Sequence, residues 1–427
     1  MQKITIKSYK YKIFIMMLTY YTLLSFLNFA YIIHANAFSS VAINTNSTFE
    51  FLGHRFILVS LMILFNLFVL NFLRISDFAY SILILILIFF VIPGGLLYAS
   101  NIIVPIKIFL LDSLLFYSIW FFLSITWKIN APILNSRQAA KVLMTLTMIG
   151  IIPFIYLYWP YIDLNNLLLI DIYKTRALVD ANIHNNYTGY TYSWYSKIIL
   201  PTILVFFIYY KSSIGVMATF AFLIFFYLCG AHRTVFLGTI AVLVFYKYDY
   251  LKKTYLLVKF LCIVGITGLL LQVLFDWNYF WTMTLHRIFT LNALLDYCFF
   301  DFFNDKPIYW SDSFMASLIE YPYDVQPSYI IGKEYLNNPI TNANSGIIAN
   351  GYKNGGFIGV FINIFIVSLF LSSLNTFRIS PKFFGLFILL MFTFTNASLT
   401  GSILTHGLLV LFLLCMFILR NTKFSLA

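Results

Sequence analysis

A series of apolar runs, most of them close to the length of a membrane-crossing helix, constrains this chain more than any other feature. A helix needs about 20 apolar residues to cross the roughly 30 Å hydrocarbon core of a bilayer. The runs cover approximately residues 13–33, 56–73, 78–99, 108–127, 142–158, 198–210, 214–231, 234–246, 255–275, 357–377, 383–397 and 403–419. The sequence therefore predicts an all-α polytopic membrane protein in which residues 1–427 form one integral membrane domain of about 12 transmembrane helices.

Composition excludes a water-soluble enzyme. Hydrophobic residues make up 61% of the chain and charged residues only 10%, whereas about 25% of the residues in a soluble domain are charged. The four cysteines are widely separated, which is typical of buried small side chains and not of a metal site or a disulfide framework. No nucleotide-binding or metal-binding motif is found, so we expect no cofactor and no metal. The cysteines are Cys229, Cys262, Cys298 and Cys415.

The net charge of +12 is explained by membrane topology, and no nucleic-acid partner is expected. Short cytoplasmic loops of membrane proteins are enriched in Lys and Arg. If both termini are cytoplasmic, the inner connections hold only two acids, Asp77 and Asp249. Their cations are Lys3, Lys7, Lys10, Lys12, Arg74, Lys128, Arg137, Lys141, Lys211, Lys247, Lys252, Lys253, Arg378, Lys382, Arg420 and Lys423. This asymmetry predicts cytoplasmic N- and C-termini.

Two outer connections are much longer than the others, at residues 159–197 and 276–356. Loops of this length in a compact protein are usually functional or disordered. Both are rich in aromatic residues. The second has the spacing of a short amphipathic helix at Ile288, Leu291, Leu295 and Phe299. We therefore expect ordered outer loops with short amphipathic helices, and we expect any chemistry on that side.

Arginines near the outer face are candidate anion ligands. The run between Arg233 and Lys247 is too short to cross a bilayer, which draws Arg233 below the outer surface. Arg176 and Arg287 lie in the two long loops, and guanidinium groups match phosphate oxygens in a bidentate way. The three could clamp a diphosphate. The alternatives are lipid-headgroup contacts, or ion pairs with Asp171, Asp180 or Asp296.

Several other residues could bind or activate a polyhydroxylated ligand. His286 and His406 titrate near neutral pH in water and are candidate proton carriers, although buried structural histidines are the alternative. Tyr323 is one of several loop aromatics that suit either sugar stacking or a membrane interface. Asn342 and Asn344 precede a glycine-rich segment and offer amide hydrogen bonds, with a helix-packing seam as the alternative. Any of the seven acids in the second loop could be a catalytic base, and the sequence alone does not select one. They are Asp296, Asp301, Asp305, Asp312, Glu320, Asp324 and Glu334.

Three short motifs resemble the Wzy family of O-antigen polymerases. The first is Gly230-Ala231-His232-Arg233-Thr234 ahead of a short run, although His232 stands where that family has a small residue. The second is Tyr335-Leu336-Asn337-Asn338-Pro339 at the end of the second loop. The third combines Asn344-Ser345-Gly346 with Gly351-Tyr352 and Gly355-Gly356-Phe357-Ile358-Gly359. Length, number of runs and the two long loops are similar over essentially the whole chain.

This resemblance implies an enzyme of the bacterial inner membrane that joins oligosaccharide repeat units carried on undecaprenyl diphosphate, at the periplasmic face. Arg233 then matches a functional arginine of the family by motif, and Arg176 and Arg287 match by loop position. A metal-independent glycosyltransferase is expected, with the bilayer and a chain-length regulator as further partners. The alternatives are an O-antigen ligase, which transfers glycan to the lipid A core, and a flippase for the same lipid-linked oligosaccharide.

Overall fold

The computed structural model describes residues 2–34, 50–125, 127, 132, 134–168, 170, 172–232, 234–304 and 306–420. These residues are mainly α-helical, and no β-strand is present among them. The helices are α1 (Gln2–His34), α2 (Gly53–Phe72), α3 (Asp77–Ser100), α4 (Ile106–Leu123), α5 (Ser136–Tyr161), α6 (Ile172–Asn182), α7 (Asn186–Tyr209), α8 (Ser213–Gly230), α9 (Thr234–Val244), α10 (Tyr250–Phe275), α11 (279–302), α12 (Pro327–Leu336), α13 (Ile347–Thr376), α14 (Pro381–Asn396), α15 (Leu399–Ile403) and α16 (Leu408–Leu419). Short 3-10 turns cover Leu164–Leu168 and Pro381–Phe383.

The helix lengths support a multi-pass membrane protein. Within the described ranges, nine helices are long and apolar enough to cross a bilayer. The shorter apolar helices α9, α14 and α16 account for the remaining predicted runs, so each of the runs overlaps a helix. The number of crossings and the cytoplasmic termini remain predictions. The loop boundaries differ, because α7 begins at Asn186 and α13 begins at Ile347, inside the segments that the sequence assigns to the first and second outer loops.

The chain divides into two compact units. Unit 1 contains Met1–Thr126, Tyr250–Ser372 and Met391–Leu399, and unit 2 contains Trp127–Asp249, Ser373–Leu390 and Thr400–Ala427. The centre of unit 1 is α3, in which every residue from Phe78 to Ser100 is buried. Its sequence is apolar on all sides, which is typical of a helix enclosed by other helices. Helices α2, α4, α10 and α11 pack around it.

Helix α13 is broken near its start. Gly355 and Gly356 have non-helical backbone angles, and Gly356 has φ +57°, which few residues other than glycine adopt. The Asn363 side-chain amide donates a 2.8 Å hydrogen bond to the Ile347 carbonyl. These residues would be about 24 Å apart along a continuous helix. The arm of residues 347–354 therefore folds back on the arm of residues 357–376, and only the second arm is long enough to cross a bilayer.

Unit 2 is organised around an aromatic core. Phe154 of α5, Leu200 of α7, and Phe226 and Tyr227 of α8 are fully buried together. Helix α7 contains a π-helical turn at Trp194–Ile199. One extra residue in a turn changes the direction of the side chains on it, and such turns are frequent at functional sites. The side chain of Lys197 extends from this turn.

Candidate functional site

Two buried carboxylates distinguish unit 1. Asp296 on α11 is 8% exposed and Asp112 on α4 is 6% exposed, and their charges interact. Asp112 occupies a space that Gly94 of α3 leaves open, since a β-carbon at Gly94 would collide with the Asp112 carboxylate. Burying two acids near each other is costly unless the protein favours their protonated forms. This cost makes the pair a functional-site candidate.

A backbone hydrogen bond from the residue before α13 holds the Asp296 side chain, which extends from α11. Its Oδ1 accepts a 3.1 Å hydrogen bond from the Gly346 N–H, immediately before the first arm of that helix. A β-carbon on Gly346 would lie 3.1 Å from the carbonyl oxygens of Phe394 and Thr395, so a larger residue would push against that backbone. Gly346, in the asparagine- and glycine-rich segment of the sequence, is therefore hydrogen-bonded to the Asp296 carboxylate. The helix N-terminus favours the ionised form of that carboxylate.

Burial nevertheless dominates the titration of Asp296. Desolvation raises its pKa to about 7, and the Gly346 hydrogen bond lowers it by a smaller amount. A carboxylate with a pKa near neutral pH can accept a proton and release it again, which is what a general base requires. Asn292, one turn earlier on α11, donates a 3.3 Å hydrogen bond to the Thr395 hydroxyl and fixes the neighbouring wall.

Unit 2 contains a basic cluster, which we define as Arg176, Lys197, His232 and His406. The charges of Arg176 and Lys197 act on His232, and the charge of Lys197 acts on His406. Arg176 donates a 2.8 Å hydrogen bond from Nη2 to the Ala231 carbonyl, beside His232. The His232 ring stacks edge-on against Tyr192 at 5.5 Å. Arg176 and His232 therefore lie beside Ala231, at the end of α8.

No acid neutralises Lys197 within the described part of the chain. The ion pairs found there are Lys333–Glu334 and Lys353–Asp312. His406 lies in the turn before α16, and its Nδ1 is buried without a hydrogen-bond partner among the described residues. Burial, and to a lesser extent the Lys197 charge, lower the pKa of His406 to about 4. His406 therefore stays neutral at pH 7, and a partly buried cation beside it favours an anionic ligand.

The described residues do not test whether the three predicted arginines come together. Arg233 lies outside the described residues, as does Asp171. Arg287 is exposed on α11 in unit 1, with its Nη1 3.9 Å from Met283 Sδ, whereas Arg176 belongs to unit 2. A clamp formed by all three arginines remains a prediction.

The other predicted residues differ in accessibility. His286 is 4% exposed, and burial lowers its pKa to about 4, so it is neutral at pH 7. Asn342 and Asn344 are exposed and available to a ligand. Tyr323 is half-buried, with its ring packed against Phe302 and Phe303 at 5.9 and 6.0 Å. This packing leaves less of the Tyr323 ring for a sugar.

Sequence reasoning did not single out two residues that the structure makes prominent. Asp112 is an acid within an apolar run, and that position alone marks it as costly. Lys197 is the last residue of the predicted first outer loop, so the sequence alone indicates an ordinary loop cation. No group of three or more His, Cys, Asp or Glu side chains arranged to hold a metal is found among the described residues.

The fold and its apolar helices define a polytopic α-helical membrane protein. Comparisons with protein-family models, with curated proteins and with solved structures found no match.

Proposed function

We propose that the protein is a glycosyltransferase that polymerises oligosaccharide repeat units carried on a lipid diphosphate. In the terms of the resemblance, it is an O-antigen polymerase of the Wzy type, acting at the periplasmic face of a bacterial inner membrane. The observation that carries the proposal is Asp296, a buried carboxylate with a pKa of about 7, held by the backbone of Gly346. Gly346 belongs to the same motif on which the family resemblance rests.

The proposed reaction is a single displacement at the anomeric carbon of the donor sugar. The acceptor hydroxyl oxygen forms a bond to that carbon, and the bond from the carbon to the lipid diphosphate breaks. The hydroxyl proton passes to Asp296, and the lipid diphosphate leaves with the bonding electron pair. A base with a pKa near the working pH can take this proton and then return it to solvent.

The leaving diphosphate requires cations, because negative charge grows on it as the glycosidic bond breaks. The basic cluster of unit 2 supports an anionic ligand by itself, since Lys197 has no ion-pair partner within the described residues. For unit 2 taken by itself, we propose that Arg176 and Lys197 and, by the motif, Arg233 bind a phosphate-bearing ligand, and this proposal is independent of the one for Asp296. Arg287 stays a further candidate. Fixed cations provide this stabilisation without a nucleotide.

Deleting the gene and separating lipopolysaccharide by gel electrophoresis tests the proposal. A polymerase deletion should reduce the ladder of chain lengths to one repeat unit on the core. Loss of all O-antigen from the core would instead indicate a ligase. Repeat units that remain on the cytoplasmic side of the inner membrane would indicate a flippase.

Arg233→Ala in a complementing copy tests the assigned cation. The variant should accumulate in the membrane and still fail to restore the ladder. A normal ladder with this variant would remove Arg233 from the proposal.

A further inference from the structure

A strained aromatic turn in the second outer loop has no role in the reaction described above. Tyr309 and Trp310 have φ angles of +51° and +58°, so two consecutive bulky residues adopt the left-handed conformation. The conformation is strained for a residue with a side chain, and it persists only where the surroundings impose it. Strain of this kind is concentrated at binding and catalytic sites.

The surroundings that impose the turn are the broken end of the first arm of α13. Ile308 and Tyr309 donate backbone hydrogen bonds to the carbonyls of Lys353 and Asn354 at 3.0 and 2.9 Å. The Trp310 N–H donates to Asn354 Oδ1 at 2.9 Å. Asp312 forms an ion pair with Lys353, whose side chain is only 6% exposed. The loop thus satisfies carbonyls that the helix break leaves open.

This anchoring turns aromatic rings outward. Ile308 and Ser311, on the inner side of the turn, are each 2% exposed, whereas Tyr309 is 53% and Phe314 is 62% exposed. Trp310 lies across the space beside Gly355, and its ring is 5.9 Å from the Phe314 ring. Packing alone would bury the large rings and expose the serine. The turn instead presents an aromatic surface, which we define as Tyr309, Trp310 and Phe314.

Hydrogen-bonding groups lie at the same helix break. The Lys107 ammonium donates to Asn304 Oδ1 at 3.0 Å, and the Tyr352 hydroxyl donates to the same oxygen at 2.8 Å. Lys107 also lies over the ring of Phe357, the first residue of the second arm. Aromatic faces combined with polar groups suit a sugar, which has apolar C–H faces and hydroxyl edges.

Charge favours a sugar over a bilayer as the occupant. The residues around the turn include exposed acids at Glu320 and Asp324. Segments that insert at anionic membrane surfaces are instead rich in Lys and Arg. Acids beside exposed rings therefore disfavour a lipid surface and leave the rings available to a neutral glycan.

We propose that the aromatic surface binds an internal sugar of the acceptor oligosaccharide. The first arm of α13 joins this surface to the Asp296 site, because Asp296 contacts one end of the arm and the turn contacts the other. Eight helical residues extend about 12 Å, which is longer than one sugar ring. The acceptor is accordingly an oligosaccharide of at least two sugars, with its terminal hydroxyl at Asp296. This inference rests on the proposed function for the role of Asp296.

Binding in the absence of the lipid donor tests the surface separately from the reaction. The probes are di- to tetrasaccharides prepared by partial hydrolysis of the producing cell's own surface polysaccharide, together with their monosaccharides. The full chain in phosphatidylcholine nanodiscs is titrated, and binding is followed by saturation-transfer NMR. We expect Trp310→Ala to weaken oligosaccharide binding about tenfold, Trp310→Phe to retain most of it, and monosaccharides to bind much more weakly.

Trp277→Ala is the matched control, because Trp277 is also exposed in unit 1 and its ring stacks on Tyr279. It should leave binding unchanged. Equal binding by the wild type and by a folded Trp310→Ala protein would overturn the inference, as would quenching of Trp310 fluorescence by brominated lipid. Oligosaccharide binding by a protein that fails to polymerise would leave the surface intact and refute the proposed function. Polymerisation by a protein that does not bind these oligosaccharides would support the proposed function and refute the aromatic surface as their binding site.

Discussion

The two units hold their charged side chains in different ways. In unit 1 the acids Asp112 and Asp296 are enclosed, and a backbone N–H from the start of α13 stabilises one of them. In unit 2 the basic cluster contains Lys197, for which no acid is found in the described residues. Unit 1 is therefore prepared to exchange a proton, whereas unit 2 is prepared to receive an anion.

Two lysines, one buried and one partly buried, sharpen this contrast. Lys353 in unit 1 is paired with Asp312 and holds a loop against a helix break. Lys197 in unit 2 has two basic neighbours and no such pair. A paired buried lysine is a structural element, while an unpaired one is a candidate ligand-binding group.

The largest expected effect is the loss of chain elongation in Asp296→Asn. An amide cannot accept the hydroxyl proton, so the rate should fall by about 10²–10⁴-fold. The measurement is polymer formation from lipid-linked repeat units by purified protein. Asp324→Asn, which changes an exposed acid of the same loop, should retain the wild-type rate. Wild-type activity should also fall as the pH drops below about 7, because the base becomes protonated.

The second prediction concerns the stability of the same residue. The pKa of Asp296 is raised to about 7 in the folded protein from an ordinary value of 3.8. The native state thus keeps a proton that the unfolded chain releases, and stability falls as the pH rises between these values. Asp296→Asn should remove this loss, which amounts to a few kcal/mol. Thermal unfolding in detergent at pH 5 and pH 8 measures it, and a wild-type profile with the opposite slope would contradict the prediction.

The third prediction breaks the structural pair of unit 1. Lys353→Met leaves Asp312 without its partner and releases the aromatic turn, so we expect a loss of roughly 3 kcal/mol in unfolding free energy. Lys333→Met removes an ion pair whose side chains are 68% and 49% exposed, and it should cost less than about 1 kcal/mol. Chemical denaturation of both variants tests the difference. Equal losses of unfolding free energy in the two variants would show that the buried Lys353–Asp312 pair stabilises the fold no more than the exposed Lys333–Glu334 pair does.

The smallest expected effect tests the basic cluster. Lys197→Met should weaken the binding of inorganic pyrophosphate by about tenfold, because a cation in a partly buried site is replaced by an apolar chain of similar length. Lys174→Met, at an exposed position on α6 of the same unit, should leave the affinity unchanged. Isothermal titration of both variants makes the comparison. Undiminished binding in Lys197→Met would refute the assignment of Lys197 to the anion.

The length and hydropathy of the apolar runs predict where the membrane helices lie, but they do not predict which residues form the candidate site. Each apolar run overlaps a helix, because length and hydropathy decide membrane insertion locally, whereas α11 lies outside the runs. Asp296 could not be separated from six other loop acids, since its burial depends on Gly346 and on residues 394 and 395, far away in the chain. The fold-back of α13 was hidden for a similar reason. Glycines permit a reversal, but the contact between Asn363 and Ile347 fixes it.

The enclosure of α3 also has a consequence for biogenesis. Helix α3 is synthesised early, yet its neighbours α10 and α11 follow only after all of the residues from Trp127 to Asp249. During translation α3 must therefore rest against lipid or an insertion factor on a face that the finished protein covers. A ribosome-bound chain truncated before Tyr250 should remain cross-linkable from α3 to lipid, and one extended beyond residue 302 should not.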